Sequence, residues 1–237
     1  NKFVGTILGD GIKKLYSTDL TGGSVTSFGT YIGGAPVVLN PTHFGEHFVS
    51  SSLGLGGFPN RDIYVASGNN IQHITNAGIA DNGLFLTNGL QGDVRGITFD
   101  AVGTFNNQMI ITTDQGYVYK VNSAGVPTQI AYTGEDTEGL DIAPIASTPI
   151  WGSLAGSLFV ASEGSGMIRA IDPITSAITL VAQTPFGIPS AEQLNFVPMD
   201  LGASGNPLEG LYSASYDGNS NNSNVVFAPA SQFAGLQ

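Results

Sequence analysis

Short runs of alternating apolar and polar residues recur along the chain, separated by turn residues. "EHFVSS" at Glu46, "RGITFD" at Arg95, "EGLDIAP" at Glu138 and "EQLNFVP" at Glu192 each begin on a charged residue and then alternate. Phe48 and Ser50, Ile97 and Phe99, Leu140 and Ile142, and Leu194 and Phe196 fall on one face. Val49, Thr98, Asp141 and Asn195 fall on the other. A period of two is the mark of a β-strand. A second set follows: "DIYVASG" at Asp62, "QMIITTDQG" at Gln108, "SLFVASEGS" at Ser157 and "GLYSASYDG" at Gly210. A third comprises "NIQHIT" at Asn70, "YVYKVN" at Tyr117, "MIRAID" at Met167 and "NVVFAP" at Asn224. Three units close on a fourth predicted strand, "GLFLTN" at Gly83, "TQIAYTG" at Thr128 and "ITLVAQT" at Ile178. Gly, Asn, Asp and Pro fill the turns between them, as turn chemistry demands.

Four short strands recurring every 43 to 54 residues are the signature of a β-propeller blade. The predicted fold is all-β: a propeller of about five four-stranded antiparallel blade units, the first and last incomplete, forming one domain over residues 1–237. "KFVGTILGDG", "IKKLYSTDL" and "VTSFGTYI" read as the second, third and fourth strands of the first unit. The last unit has its first three strands and no fourth. This predicts an open blade edge, closed either by chain beyond Gln237 or by another molecule. "GSLFVASEGSGMIRAID" resembles the second and third strands of secreted bacterial β-propellers of the NHL and SMP-30-like kind. "GEDTEGLDIAP", "SAEQLNFVP" and "APASQFAGL" resemble exported propeller proteins of environmental bacteria. The resemblance covers most of the chain and implies a fold more than a function, because propellers host many activities.

Composition narrows the function. Only 11% of the residues are charged, the seven basic ones are scattered, and the net charge is −11. Phosphate binding needs clustered Lys and Arg, so nucleic acid and anionic membrane surfaces are not expected partners. No apolar run approaches the roughly 18 residues of a membrane span. The absence of Cys excludes disulfides, thiolate zinc sites and Cys nucleophiles. Few charges and abundant Gly, Asn, Ser and Thr point to a secreted or cell-surface location. The chain opens on Asn1 with no leader-like pattern, as a processed chain or a fragment would.

In a propeller the first strand of each blade lines the central channel, so equivalent positions meet at one rim. Glu46, Arg95, Glu138 and Glu192 share one repeat position, with Asp141 and Asn195 one step deeper. These six residues are the candidate ligand-binding rim. Two arrangements stay open: a cation such as Ca²⁺ held by Glu138 and Glu192, or a bridge from Arg95 to two Glu. Asp217, Asn219 and Asn221 have the one-three-five spacing of a calcium loop. Asn222 stands where such a loop needs Gly, and Ala228 where it needs a bidentate acid. His43, Glu46 and His47 are spaced for zinc on a helix, but this stretch reads as a loop entering a strand. There is no Gly-x-Ser-x-Gly elbow and no Ser–His–Asp set. SMP-30-like lactonases hold a channel metal with Glu, Asn and Asp, which Glu138, Glu192, Asn195 and Asp141 echo by residue type alone.

The expected function is therefore a non-catalytic extracellular propeller acting in surface binding or self-assembly. Its expected partners are proteins or its own copies, met through exposed strand edges, with a small-molecule or glycan ligand as a further expectation. Trp151, in the loop "STPIWGSLAG", is the aromatic residue best placed to be exposed, with packing the default expectation even there. The alternative is a metal-dependent hydrolase or lactonase at the channel mouth.

Overall fold

The computed structural model describes residues 2–6, 14–42, 45–145, 151–183, 191–197, 208, 210–217 and 222–229. Among these it is a five-bladed β-propeller. Blade 1 comprises β1 (Phe3–Thr6), β2 (Leu15–Thr18) and β3 (Thr26–Phe28). A two-residue strand, β4 (Thr30–Tyr31), then crosses to blade 2, which holds β5 (Val49–Leu53), β6 (Asn60–Ser67), β7 (Asn70–Ile74) and β8 (Ile79–Ala80). Blade 3 is β9 (Val94–Phe99), β10 (Met109–Thr113), β11 (Tyr117–Val121) and β12 (Pro127–Tyr132). Blade 4 is β13 (Thr137–Ile142), β14 (Leu158–Ser162), β15 (Met167–Ile171) and β16 (Ile178–Gln183). Blade 5 is β17 (Ala191–Val197), β18 (Gly210–Asp217) and β19 (Asn222–Pro229). All pairings within blades are antiparallel; only β4 lies parallel to its neighbour, β8.

The inner strands β5, β9, β13 and β17 pack side by side around the axis, and β1 packs against β5. The second strands lie deepest, sandwiched between neighbouring blades. Every residue of β10 and β14 is buried, so "MIITT" and "LFVAS" carry apolar or small side chains on both faces. Period two then sends alternate residues into different cores. From β10, Ile111 and Met109 join the cluster shared with blade 2, whereas Ile110 joins the one shared with blade 4. From β14, Leu158 and Val160 face blade 3, and Phe159 and Ala161 face blade 5. Phe58, Tyr64 and Phe99 form an edge-to-face aromatic knot between blades 2 and 3, with centroids 5.1 to 5.7 Å apart, a geometry the ring quadrupoles favour.

Two glycines set how closely the inner strands approach. A Cβ at Gly96 would collide with the Glu138 carbonyl and the Leu140 side chain, and one at Gly139 with the backbone of Gln193 and Leu194. Each follows directly on a rim residue, Arg95 or Glu138.

The structure differs from the sequence expectation in three places. First, β1 takes the innermost position rather than the second: it packs on β5, and the Thr6 hydroxyl donates to the His47 carbonyl. Second, "VTSFGTYI" is not one strand. Gly29 has φ +87°, in the left-handed region that favours glycine, and breaks the run into β3 and β4. Third, the fourth strand of blade 2 is Ile79–Ala80, and "GLFLTN" turns inward instead. The Asn70 side chain accepts the Leu86 N–H (3.0 Å), the Phe85 N–H donates to the Ile71 carbonyl (2.7 Å), and both side chains join the core. Apolar burial outweighs strand pairing there.

After β9 the chain winds around a fully buried carboxylate. Asp100 accepts the N–H groups of Val102 (3.0 Å) and Gly103 (2.7 Å) on one oxygen, and those of Phe105 (2.7 Å) and Asn107 (2.9 Å) on the other. Asp100→Ala would strip acceptors from four amides at once. The expected loss is about 3 kcal/mol in urea unfolding; a loss below about 0.5 kcal/mol would show that water replaces the carboxylate freely.

Candidate functional site

At one mouth of the channel, Arg95 of β9 is sealed from solvent, with 1% of its side chain exposed. A buried guanidinium needs acceptors on every side. Its Nη1 meets Glu46 at 2.5 Å, its Nε meets Asp136 at 3.2 Å, and its Nη2 meets both Glu163 at 3.2 Å and Glu138. The Glu138 side chain is itself 1% exposed. The Phe48 ring lies 5.6 Å from the guanidinium carbon and covers one flat face. One cation therefore ties the entry to blade 2, the inner strand of blade 3, and the inner strand and second hairpin of blade 4. The fork shape of Arg suits this task, as a point-charge Lys would not.

A second pair flanks the first. Arg169 of β15 meets Glu135 at 2.5 Å, and the Ser165 hydroxyl donates to the same carboxylate oxygen. Burial pushes the Glu135 carboxyl up, but these bonds outweigh it and hold the group below the usual carboxylate range.

Negative charge exceeds positive charge here. Glu46, Asp136, Glu138, Glu163 and Glu192 all stand around Arg95. Burial pushes Asp136 up to about 6; Arg95 pulls against the rise and Glu163 adds to it. Burial also pushes Glu192 up to about 7, helped by the charges of Glu163 and Glu46 and opposed by Arg95. A pocket of about 310 Å³ opens above the cluster, lined by Thr6, Glu46, His47, Glu138, Glu192 and Gln193 among others.

Four of the six expected rim residues meet: Glu46, Arg95, Glu138 and Glu192. The other two do not. Asp141 lies at the far end of β13, in a separate pocket with Phe99, Ile142 and Phe196. Its oxygens accept the N–H of Ile142 (2.8 Å) and of Phe196 (2.7 Å), so it stitches blade 4 to blade 5. Burial raises its pKa, and the two amides oppose the rise. Asn195 is exposed on β17. Asp217 ends β18 opposite Asn222; its side chain, Asn219 and Asn221 lie outside the described residues, as does His43 of the zinc spacing. Glu46 of that spacing is turned to Arg95, and the His47 Nδ1 meets the Ala66 carbonyl at 2.9 Å. Trp151 is packed, as the default expectation had it: 1% accessible and edge-on to Phe196 at 4.9 Å.

The cluster adds two residues the rim alignment did not include, Asp136 and Glu163. Asp136 sits in the acidic run before Glu138. Glu163 closes the second strand of its blade, and the equivalent position of blade 3 is also acidic, Asp114. That recurrence was the available signal. One carboxylate oxygen each from Asp136, Glu138 and Glu163 lie within 4.8 Å of one another, a spacing a metal ion could use. All three carboxylates are ion-paired with Arg95, so the guanidinium already fills the cationic place among them.

Neither a protein-family model nor a curated protein sequence matches the chain. Among solved structures, it is similar to a protein of unknown function from Bacteroides caccae. That match has 11% identity and a TM-score of 0.55, and covers 96% of this chain and 73% of the other. It is also similar to BBS1N in complex with ARL6DN, at 14% identity and a TM-score of 0.53, covering 95% of this chain. The chain spans about three fifths of that BBS1N chain (61%). At these identities the likeness is one of fold. Among the described residues no helix is long and apolar enough to cross a membrane.

Burial of Asp136 and Glu192, reinforced by Glu163 and Glu46, fixes the sign of the pH dependence. Asp136 and Glu192 hold protons in the folded state at pH values where the unfolded chain has released them. Stability should therefore rise as pH falls from about 8 to about 5. Further acidification works the other way, because the depressed Glu135 then loses its charge and its pair. Replacing Arg95 by Met leaves buried carboxylates unpaired, with an expected loss of about 3–5 kcal/mol at neutral pH. Part of that loss should return toward pH 5 as the carboxylates take up protons. Urea unfolding of both proteins across this range checks it; a flat wild-type profile, or a variant as stable as wild type, would refute the charge account.

Proposed function

We propose that this chain is a non-catalytic binding propeller of the cell exterior, which meets a protein partner or its own copies through an exposed strand edge. The carrying observation is the outer edge of blade 4. β16 ends its sheet, and among the described residues nothing pairs with its free side. Ile174 through Leu180 are all exposed, with no charged residue in the run. Ile178 and Leu180 stand on the same face of the strand, and Ile174 reaches out from the turn before it. A groove of about 510 Å³ runs alongside, lined by Leu154, Asp172, Thr175, Thr179, Leu180 and Val181 among others. An uncovered apolar edge offers a row of main-chain donors and acceptors to an added strand. The rest of the molecule is acidic, with a net charge of −11, so an uncharged edge is where two copies approach with least repulsion. The low charge content and the resemblance to exported propellers support the extracellular placement. The BBS1N structure, a complex with ARL6DN, is compatible with a propeller that binds protein.

A second reading, a metal-dependent hydrolase at the channel mouth with Ca²⁺ as its ion, draws on the grouping of Asp136, Glu138 and Glu163. These residues do not suit an ion while Arg95 pairs with all of them.

The edge reading is tested by sedimentation velocity over a range of concentrations. Wild type is expected to self-associate, and Ile178→Lys with Leu180→Lys to stay monomeric, with stability within about 0.5 kcal/mol of wild type because both sites are exposed. A wild-type monomer at every concentration would contradict self-assembly through this edge. Calcium-dependent association unaffected by the two lysines would favour the metal reading.

A further inference from the structure

Blade 2 carries a charged cluster of its own, remote in purpose from the channel. His73 of β7 lies between two carboxylates: its Nε2 is 2.8 Å from Asp62 of β6, and its Nδ1 is 2.7 Å from Asp81, just after β8. A carboxylate is acceptor-only, so both contacts are hydrogen bonds only if both ring nitrogens donate. That state is the imidazolium. The ring also stacks on Tyr64, with centroids 4.7 Å apart and planes 23° from parallel, and Phe85 tilts against it at 6.0 Å. Burial pushes the Tyr64 hydroxyl well above its ordinary range, and Asp62 and Asp81 add to the rise, so the phenol presents a neutral face. Among the described residues, Asp62, Asp81, Tyr64 and Phe85 face His73.

The two carboxylates are unequal. The Asp62 side chain is 6% exposed, and its other oxygen accepts the Asn76 N–H at 2.9 Å; the Asp81 side chain is 55% exposed. A ring with one proton keeps the buried partner, whose charge has no water to fall back on, and releases the exposed one.

Asp81 follows β8, which is only two residues long and pairs with the strap β4; the strap also reaches β7 directly, where the Tyr31 hydroxyl donates to the Gln72 side-chain oxygen at 3.4 Å. The strap is held by two parallel positions, Thr30 to Ile79 and Tyr31 to Ala80, and by the Thr30 N–H to the Gly78 carbonyl at 2.9 Å. The Asp81 N–H donates to the His73 carbonyl at 3.2 Å. The Gln72 side-chain amide donates to the carbonyls of His73, Asp81 and Gly83.

We infer that His73 is a proton-operated clamp on the outer edge of blade 2. With the ring doubly protonated, it holds Asp81, β8 and the strap against β7. When the second proton leaves, Asp81 is released, the strap loosens, and the edge of β7 becomes available for strand pairing. The inference does not rest on the edge of blade 4 and stands or falls separately.

Two measurements on the whole chain test it. Long-range ¹H–¹⁵N correlation of the His73 ring reads both nitrogens directly, and protons on both are expected while Asp81 is held. Amide exchange of Thr30, Ala80 and Asp81, corrected for intrinsic base catalysis, should lose about tenfold in protection as that proton leaves, the scale of one charge-assisted bond. In His73→Gln the same protection should no longer follow pH. A ring with a single proton at every pH, or protection that stays constant through its titration, would overturn the clamp, whether or not the Gln variant folds well.

Discussion

A buried guanidinium cannot be left to itself, and Arg95 makes the channel of this propeller a matter of charge pairing. Moving such an ion out of water is costly unless acceptors surround it. The acceptors here come from three places in the sequence: the entry to β5, the run before and into β13, and the turn after β14. Each must arrive in register for the others to be satisfied. Gly96 and Gly139 make this geometry reachable, because any side chain there would hold the inner strands apart and draw the carboxylates away from the cation.

The apolar clusters between blades supply most of the burial, but they are local, each joining two neighbours. The Arg95 ion pairs join three blades at one mouth of the channel. The cluster also carries more carboxylates than one cation neutralises. Burial, with this surplus adding to it, pushes Asp136 up to about 6 and Glu192 up to about 7. Most of the described polar groups at this mouth are engaged with each other. This is why the outer strands carry the functional proposal.

The repeat was legible because propeller strands alternate with period two and recur at nearly fixed spacing. The second strands stood out as runs such as "SLFVASEGS", since sheets on both sides bury both faces. Alternation failed where burial overrode pairing: "GLFLTN" has a strand's pattern, yet Phe85 and Leu86 fill a core position from a loop. It failed also at Gly29, where one backbone angle divides a run between two blades. In the site, the shared repeat position found Glu46, Arg95, Glu138 and Glu192. It could not separate the top of a strand from its bottom, so Asp141 was grouped with residues at the opposite end. Asp136 and Glu163 reach the cluster from loops, whose course the repeat does not specify. The pairing of His73 with Asp62 and Asp81 depends on cross-strand register, which sequence spacing alone leaves undetermined.

The central claim is that Arg95 and Glu138 act as one unit at the propeller axis. A double-mutant cycle with Arg95→Met and Glu138→Gln, read by urea unfolding at neutral pH, measures this directly. The two changes should be strongly non-additive, with a coupling of at least about 2 kcal/mol, because removing either partner already strands the other. Additive losses would mean that the guanidinium is held by its remaining carboxylates and that Glu138 is a bystander. That result would contradict the account.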